Sequence, residues 1–127
     1  MIAAARAKGI YDRLVVAELN YFLDAEPPAS AGLILAADVF VYIGELAGIF
    51  PTCCRLLPPG GLLAFTVQKS EQAFTFGEDM RYAHSLSYIA QTARAAGLTV
   101  QNHLEISTRR DRGRDVPGLG FVLAKPA

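Results

Sequence analysis

Asp38 closes the apolar run Leu33-Ile34-Leu35-Ala36-Ala37, and Glu18 closes a shorter one, Leu14-Val15-Val16-Ala17. A carboxylate just after a buried strand stands where open α/β sheets take ligands, outside the carboxyl ends of their strands. There Asp38 can orient a substrate group or act on its proton; the plainer reading is a local pair, or a cap for the helical stretch beginning near Glu45. Glu18 can hold a hydrogen-bond donor or stand exposed at a loop start. His84, within Arg81-Tyr82-Ala83-His84-Ser85, has the pKa of a general base, or it bonds to backbone. Arg81 carries a guanidinium fork that matches a substrate carboxylate, or it is a solvated arginine at a helix start. Tyr82 and Tyr88 are six residues apart, which does not place them on one helical face. His103 reads as structural or exposed. Arg109, Arg110, Arg112 and Arg114 alternate with Asp111 and Asp115, a solvated turn rather than a nucleic-acid patch.

These side chains need elements to hold them. Met1–Lys8 reads as a helix ended by Gly9, with Arg6 and Lys8 suited to its C-terminal dipole. Leu14–Ala17 reads as a short buried strand, and Leu19–Ala25 as a brief helix stopped at Glu26-Pro27-Pro28. Leu33–Ala37 is continuous in apolar character, which predicts a central, parallel strand. Leu46, Ile49, Phe50, Cys53, Leu56 and Leu57 recur at helical spacing between Glu45 and Leu57, with a kink or restart expected at Pro51. Pro58-Pro59-Gly60-Gly61 is a turn, and Leu62–Val67 a second buried strand. Residues 68–80 read as an irregular loop, Tyr82–Ala96 as a helix capped by Gly97, and Leu98–Ser107 and Gly118–Lys125 as a closing antiparallel pair. Alternation of strands and helices predicts an α/β, doubly wound, mostly parallel sheet with an antiparallel C-terminal hairpin, in one domain spanning 1–127.

The composition fits that expectation. Hydrophobic residues make up 52% of the 127 and charged ones 19%, a balance for burial rather than disorder. Lys+Arg and Asp+Glu are 12 each, so net charge gives no pull toward nucleic acid or an anionic membrane. The longest apolar stretch, Leu33 to Ile43, is broken by Asp38 and is too short to span a bilayer. The start has no apolar segment suited to secretion, and only Arg6 and Lys8 are basic before Tyr11, so no transit peptide is expected. Cys53 and Cys54, the only cysteines, are adjacent and poorly placed to bridge one another; they read as thiols of a cytoplasmic protein. No CxxC, HExxH or His/Cys cluster is present, so no metal site is expected.

The stretches ARAKGIYDRLVVAELNYFL, LILAADVFVYIGEL, RLLPPGGLLAFTV, RYAHSLSYIAQTARAAGL and GLGFVLAKP together resemble class I S-adenosylmethionine-dependent methyltransferases of the TPR-associated bacterial group. AADVFVYIG and RYAHS are rather specific to that group, whereas LLPPGGLLAF is generic to the superfamily. The resemblance covers nearly the whole chain and implies a partial Rossmann-like sheet with S-adenosylmethionine across the strands' carboxyl ends. It places Glu18 and Leu19 at the adenine. It places Ala36, Ala37, Asp38 and Val39 at the sulfonium pocket and substrate mouth, with Tyr42 beside them; Arg81, Tyr82 and His84 are expected on the substrate side from their own residue types.

The family's glycine-rich turn after its first strand, and the ribose-binding acid after its second, have no match here. Gly60-Gly61 precedes a strand and cannot replace that turn. Ala31-Gly32 and Gln68 also depart from the family's usual residues. The expectation is a truncated methyltransferase domain of little or no activity by itself. The alternative is a non-catalytic α/β module that dimerises or complements a partner, with a homodimer formed through an exposed sheet face or edge. A nicotinamide enzyme is disfavoured, since GxGxxG is missing too.

Overall fold

The computed structural model describes residues 2–127 and every side chain among them except that of Thr108, so Met1, the first residue of the expected N-terminal helix, lies outside the described residues. The elements are α1 (Ile2–Lys8), α2 (Leu19–Ala25), β1 (Leu33–Ala36), α3 (Ile49–Leu56), β2 (Leu62–Lys69), β3 (Phe74–Phe76), β4 (Tyr82–His84), α4 (Leu86–Ala95), β5 (Thr99–Asp111) and β6 (Arg114–Ala124). A 3-10 turn, Phe40–Tyr42, lies between β1 and α3. No helix is long and apolar enough to cross a membrane among the described residues.

β2 is the axis of a six-stranded sheet. β6 runs antiparallel along one side of it from Leu62 to Gln68. On the other side β1 pairs in parallel from Leu62 to Phe65, and β4 takes over in parallel at Gln68 and Lys69. β3 pairs antiparallel with β4, and β5 with β6, the latter being the expected closing hairpin. Three of the five pairings are antiparallel, which corrects the expectation of a mostly parallel sheet. A parallel pair needs a long crossover; α3 joins β1 to β2 and α4 joins β4 to β5, but β6 enters antiparallel between β2 and β5, so the second crossover yields no parallel pair.

β1 also departs from expectation. It is parallel, as predicted, but lies at an edge, paired with β2 alone among the described residues. Leu14–Ala17, expected as a strand, forms no ladder. A strand exists only by exchanging backbone hydrogen bonds with a neighbour, and none lies beside it. Residues 68–80, expected as irregular, contain the end of β2 and all of β3. The helix expected from Tyr82 splits into β4 and α4, with Ser85 between them accepting from the Tyr88 N–H at 3.1 Å as the N-cap. α3 starts at Ile49 rather than Glu45, so Pro51 falls in its first turn, where a missing N–H breaks no intrahelical bond.

One face of the sheet is sealed. Leu63, Phe65 and Val67 of β2 and Leu119, Phe121 and Leu123 of β6 pack against Phe50 and Cys53 of α3 and Ile89 and Ala93 of α4. Phe65 sits at the middle of this core, with ring centroids 5.1 Å from Phe40, 5.6 Å from Phe50 and 5.2 Å from Phe121. Lys125 ties down the end of α3, its Nζ donating to the Cys54 and Leu57 carbonyls at 2.9 Å each, where the Cys54 carbonyl otherwise accepts only a longer bond, 3.3 Å, from the Leu57 N–H. Burial pushes the Cys53 thiol up to about 11, which keeps it protonated and unreactive. The other face is bare. Leu35 is 70% exposed and Leu104 63%, and a shallow apolar cavity of about 330 Å³ runs between β1, β2, β6 and β5.

Candidate functional site

The carboxyl end of β1 turns sharply at Asp38, whose φ is 57°. That left-handed conformation is uncommon for a residue with a side chain, and aspartate tolerates it better than most. It aims the Asp38 N–H at Thr66 Oγ1 on β2, 3.1 Å away, and leaves the residue exposed. The backbone bond fixes the chain direction out of the strand, and with it the place of the Asp38 backbone. Ala36 is buried on the helical side, Ala37 lines the bare-face cavity, and half-buried Val39 packs at the core's edge.

From there the 3-10 turn carries Tyr42 out to 61% exposure, and the chain passes Ile43 and Gly44. Gly44 is required here: a Cβ at this position would lie 2.6 Å from the Tyr82 ring and 2.9 Å from the Phe74 ring. His84 fastens the same segment. Its Nε2 lies 2.9 Å from the Ile43 carbonyl and 3.0 Å from that of Gly44, so Nε2 carries the proton and donates to both. His84 is 0% exposed and its Nδ1 is buried without a partner. Burial lowers its pKa against the opposing pull of the two carbonyls. The ring is therefore neutral at pH 7 and out of reach of a ligand; it positions the loop that bears Tyr42.

Four of the expected substrate-side residues come together around this loop. Arg81 lies over the Tyr42 ring at 5.9 Å, within cation–π range. Tyr82 packs on Phe76 at 4.9 Å and on Phe74 at 6.3 Å, and Phe74 in turn reaches His84 and Tyr88. The Tyr88 hydroxyl accepts from the Leu46 N–H at 2.9 Å, so Tyr82 and Tyr88 join one cluster through Phe74 although one is on a strand and the other on a helix.

Beside it stands a polar bridge that sequence reading missed. Arg109 donates to Asp79 Oδ2 at 2.7 Å and to Gln68 Oε1 at 3.1 Å, and Asp79 Oδ1 accepts from the Arg81 N–H at 3.2 Å. Partial burial raises the Asp79 pKa, but the Arg81 N–H, Arg109 and Gln68 together outweigh it and hold the carboxyl below its usual range. A register shift in β5 between Ser107 and Arg109 is the kind of irregularity that re-aims a side chain. Arg110 and Asp115, read as part of a solvated turn, stand opposite one another on β5 and β6 and pair at 3.3 Å with both side chains exposed.

Glu18 and Leu19 stand on another element, at the start of α2. Glu18 caps α2, its carboxylate accepting from the Asn20 and Tyr21 N–H groups at 3.1 and 2.9 Å, which lowers its pKa. Leu19 lines a separate cavity of about 340 Å³ with Arg13, Val15, Ala17 and Phe22. The six residues expected around the cofactor are thus divided between the α2 start and the β1 end. Among the described residues, no group of three His, Cys, Asp or Glu side chains could hold a metal ion.

No protein-family profile matches the chain, and no curated protein does. Solved structures do. The chain is similar to 1,6-didemethyltoxoflavin-N1-methyltransferase from Burkholderia thailandensis, with 1,6-didemethyltoxoflavin and S-adenosylhomocysteine bound, at TM-score 0.76 and 15% identity over 98% of this chain and 56% of that one. A SAM-dependent methyltransferase from Methanosarcina mazei aligns at TM-score 0.65 and 10% identity over 80% and 62% of the two chains. The [4+2]-cyclase SpnF aligns at 0.73 and 18% over 98% and 60%. The fold is that of the class I SAM-dependent methyltransferases. The chain spans less than two thirds of the length of these structures. The cyclase among them is a reminder that this fold does not by itself fix a reaction.

Proposed function

We propose that this chain is the substrate-side part of an S-adenosylmethionine-dependent methyltransferase, and that by itself it holds the cofactor weakly. The observation that carries the reading is Asp38: an exposed residue just past the carboxyl end of a parallel strand, its backbone N–H bonded to Thr66, on a methyltransferase-like sheet. The residues fit one end of the cofactor. Ala36 and Ala37 leave room beside the backbone, and Asp38 offers a carboxylate to a hydroxyl or amine. Glu18 fits less well, because its oxygens already serve α2. No glycine-rich turn between a strand and a helix is present in the sequence to cradle the methionine carboxylate.

When bound, the cofactor supplies an electrophilic methyl group on sulfur. The protein's task is to orient the acceptor in line and exclude water, work that requires little acid–base machinery. That fits an arrangement in which Arg81 lies over Tyr42, four residues beyond Asp38, while His84 is sealed and neutral. Calorimetric titration with S-adenosylhomocysteine tests the proposal. Millimolar affinity, abolished in Asp38→Ala, is expected. Micromolar affinity of the chain alone would overturn its weakness, and a full-strength response in D38A would remove Asp38 from the site.

A second reading is favoured by one pairing of observations. The chain carries an unpaired strand edge at β1 and an unpaired, β-branched segment at Leu14–Ala17, with Val15 and Val16 exposed by 47% and 81%. Each is what the other lacks, and the formal net charge of zero opposes no approach of two copies. We propose that a second copy of this chain covers the edge. Light scattering at high concentration is expected to give a dimer that Leu35→Lys dissociates; a monomer throughout would refute it.

A further inference from the structure

Arg81 is poorly satisfied where it stands. Its Nε is buried with no hydrogen-bond partner. The nearest carboxylate, Asp79, gives one oxygen to the Arg81 backbone N–H and the other to Arg109. The ion pairs among the described residues belong to Arg13, Lys69, Arg109 and Arg110, not to Arg81. A partly desolvated cation without an ion-pair partner favours an incoming anion more than a solvated one does. Its guanidinium lies over the Tyr42 ring at 5.9 Å, and Tyr42 is exposed by 61%. Arg81 also walls a cavity of about 300 Å³ with Glu78, Asp79, Arg109, Asp111 and Arg112. That is the low end of the range for small-molecule pockets. Its three arginines are matched by three carboxylates, so it has no excess charge to hold a phosphate dianion.

We propose that Arg81 and Tyr42 form an acceptor subsite for a flat aromatic carboxylate, the acid group forked on the guanidinium and the ring laid against Tyr42. The proposal rests on the reading of the β1 end as the methyl-transfer site, since it names what that site would receive. The geometry selects each half of the ligand separately. A guanidinium fork matches a carboxylate plane with two parallel hydrogen bonds, and an exposed tyrosine face rewards a flat ring over a puckered one.

The test uses the whole chain and four probes: 1-naphthoate, 1-naphthylmethylamine, cyclohexanecarboxylate and 1-naphthyl phosphate, titrated by NMR. Naphthoate is expected to bind best and to shift the Arg81 and Tyr42 signals. Arg81→Gln is expected to weaken it about tenfold or more, the worth of a charge-assisted pair. Arg81→Lys should fall between, retaining charge without the fork, and gives the same reading should the glutamine variant fold poorly. Tyr42→Leu should cost about threefold or more, and Arg110→Gln should change nothing. Equal naphthoate binding by R81Q, tighter binding of the amine, phosphate or cyclohexane acid, or no binding at all would each overturn the proposal. Because none of these readouts involves S-adenosylhomocysteine, naphthoate binding with no response to that ligand would leave the subsite standing and remove the methyl-transfer reading.

Discussion

The two faces of one sheet have very different surroundings. On the helical face Leu63, Phe65 and Val67 are 0%, 4% and 0% exposed, while across β1 and β5 on the other face Leu35 and Leu104 remain at 70% and 63%. Residue type does not separate them, since leucines stand on both. What separates them is whether a second layer packs on the face, because a sheet buries only the side another element covers. The sealed face therefore carries the stability, and the bare face and edge are free to meet something else.

The comparison breaks most visibly at Phe65. Phe65→Ala should cost about 3–5 kcal/mol by urea denaturation, whereas Leu35→Ala should change the midpoint by about 0.5 kcal/mol or less. Similar losses would show that the bare face is covered in solution. Next is the bridge joining Arg109 to Asp79 and Gln68. Arg109→Gln leaves the Asp79 carboxylate without its main partner and should cost about 1–2 kcal/mol; a neutral outcome would mean that water replaces the guanidinium.

The buried His84 sharpens the contrast through pH. Its folded pKa is depressed below the ordinary 6.5, so as pH falls through that value the unfolded chain takes the proton first and the folded state loses stability. The loss runs from about pH 6.5 down to the depressed folded value, at no more than about 1.4 kcal/mol per pH unit. Above that window His84 adds no pH dependence. Urea midpoints at about pH 7.5 and about pH 5.5 should differ more in the wild type than in His84→Gln. Equal differences would mean that His84 is not neutral and sealed.

Much of the sealed half is legible in local sequence. The apolar runs at Leu33–Ala36 and Leu62–Val67 mark β1 and β2, and Gly9 and Gly97 stop helices with φ of 67° and 87°. What the sequence hides is set by distant partners. The apolar run of β1 looks central, yet its place at an edge depends on which strands lie beside it. Tyr82–His84 continues a helical stripe and becomes a strand because β2 and β3 offer ladders on both sides. The available signal was Ser85, a good N-cap one residue before α4. Arg109 reads locally as one of a solvated cluster; its bond to Asp79, 30 residues away, has no local trace. Gly44 likewise reveals its purpose only when Tyr82 and Phe74 close over it. Of the candidate site, Asp38 at a strand end was readable from pattern, whereas the burial of His84 was not.

The most direct measurement is an amide NMR titration of the chain with S-adenosylhomocysteine. The account predicts weak, saturable shifts concentrated at Ala36–Val39 and Tyr42, with the bare face around Leu104 and Val122 unmoved. Shifts centred on the bare face, or none at the end of β1 at any concentration, would contradict it.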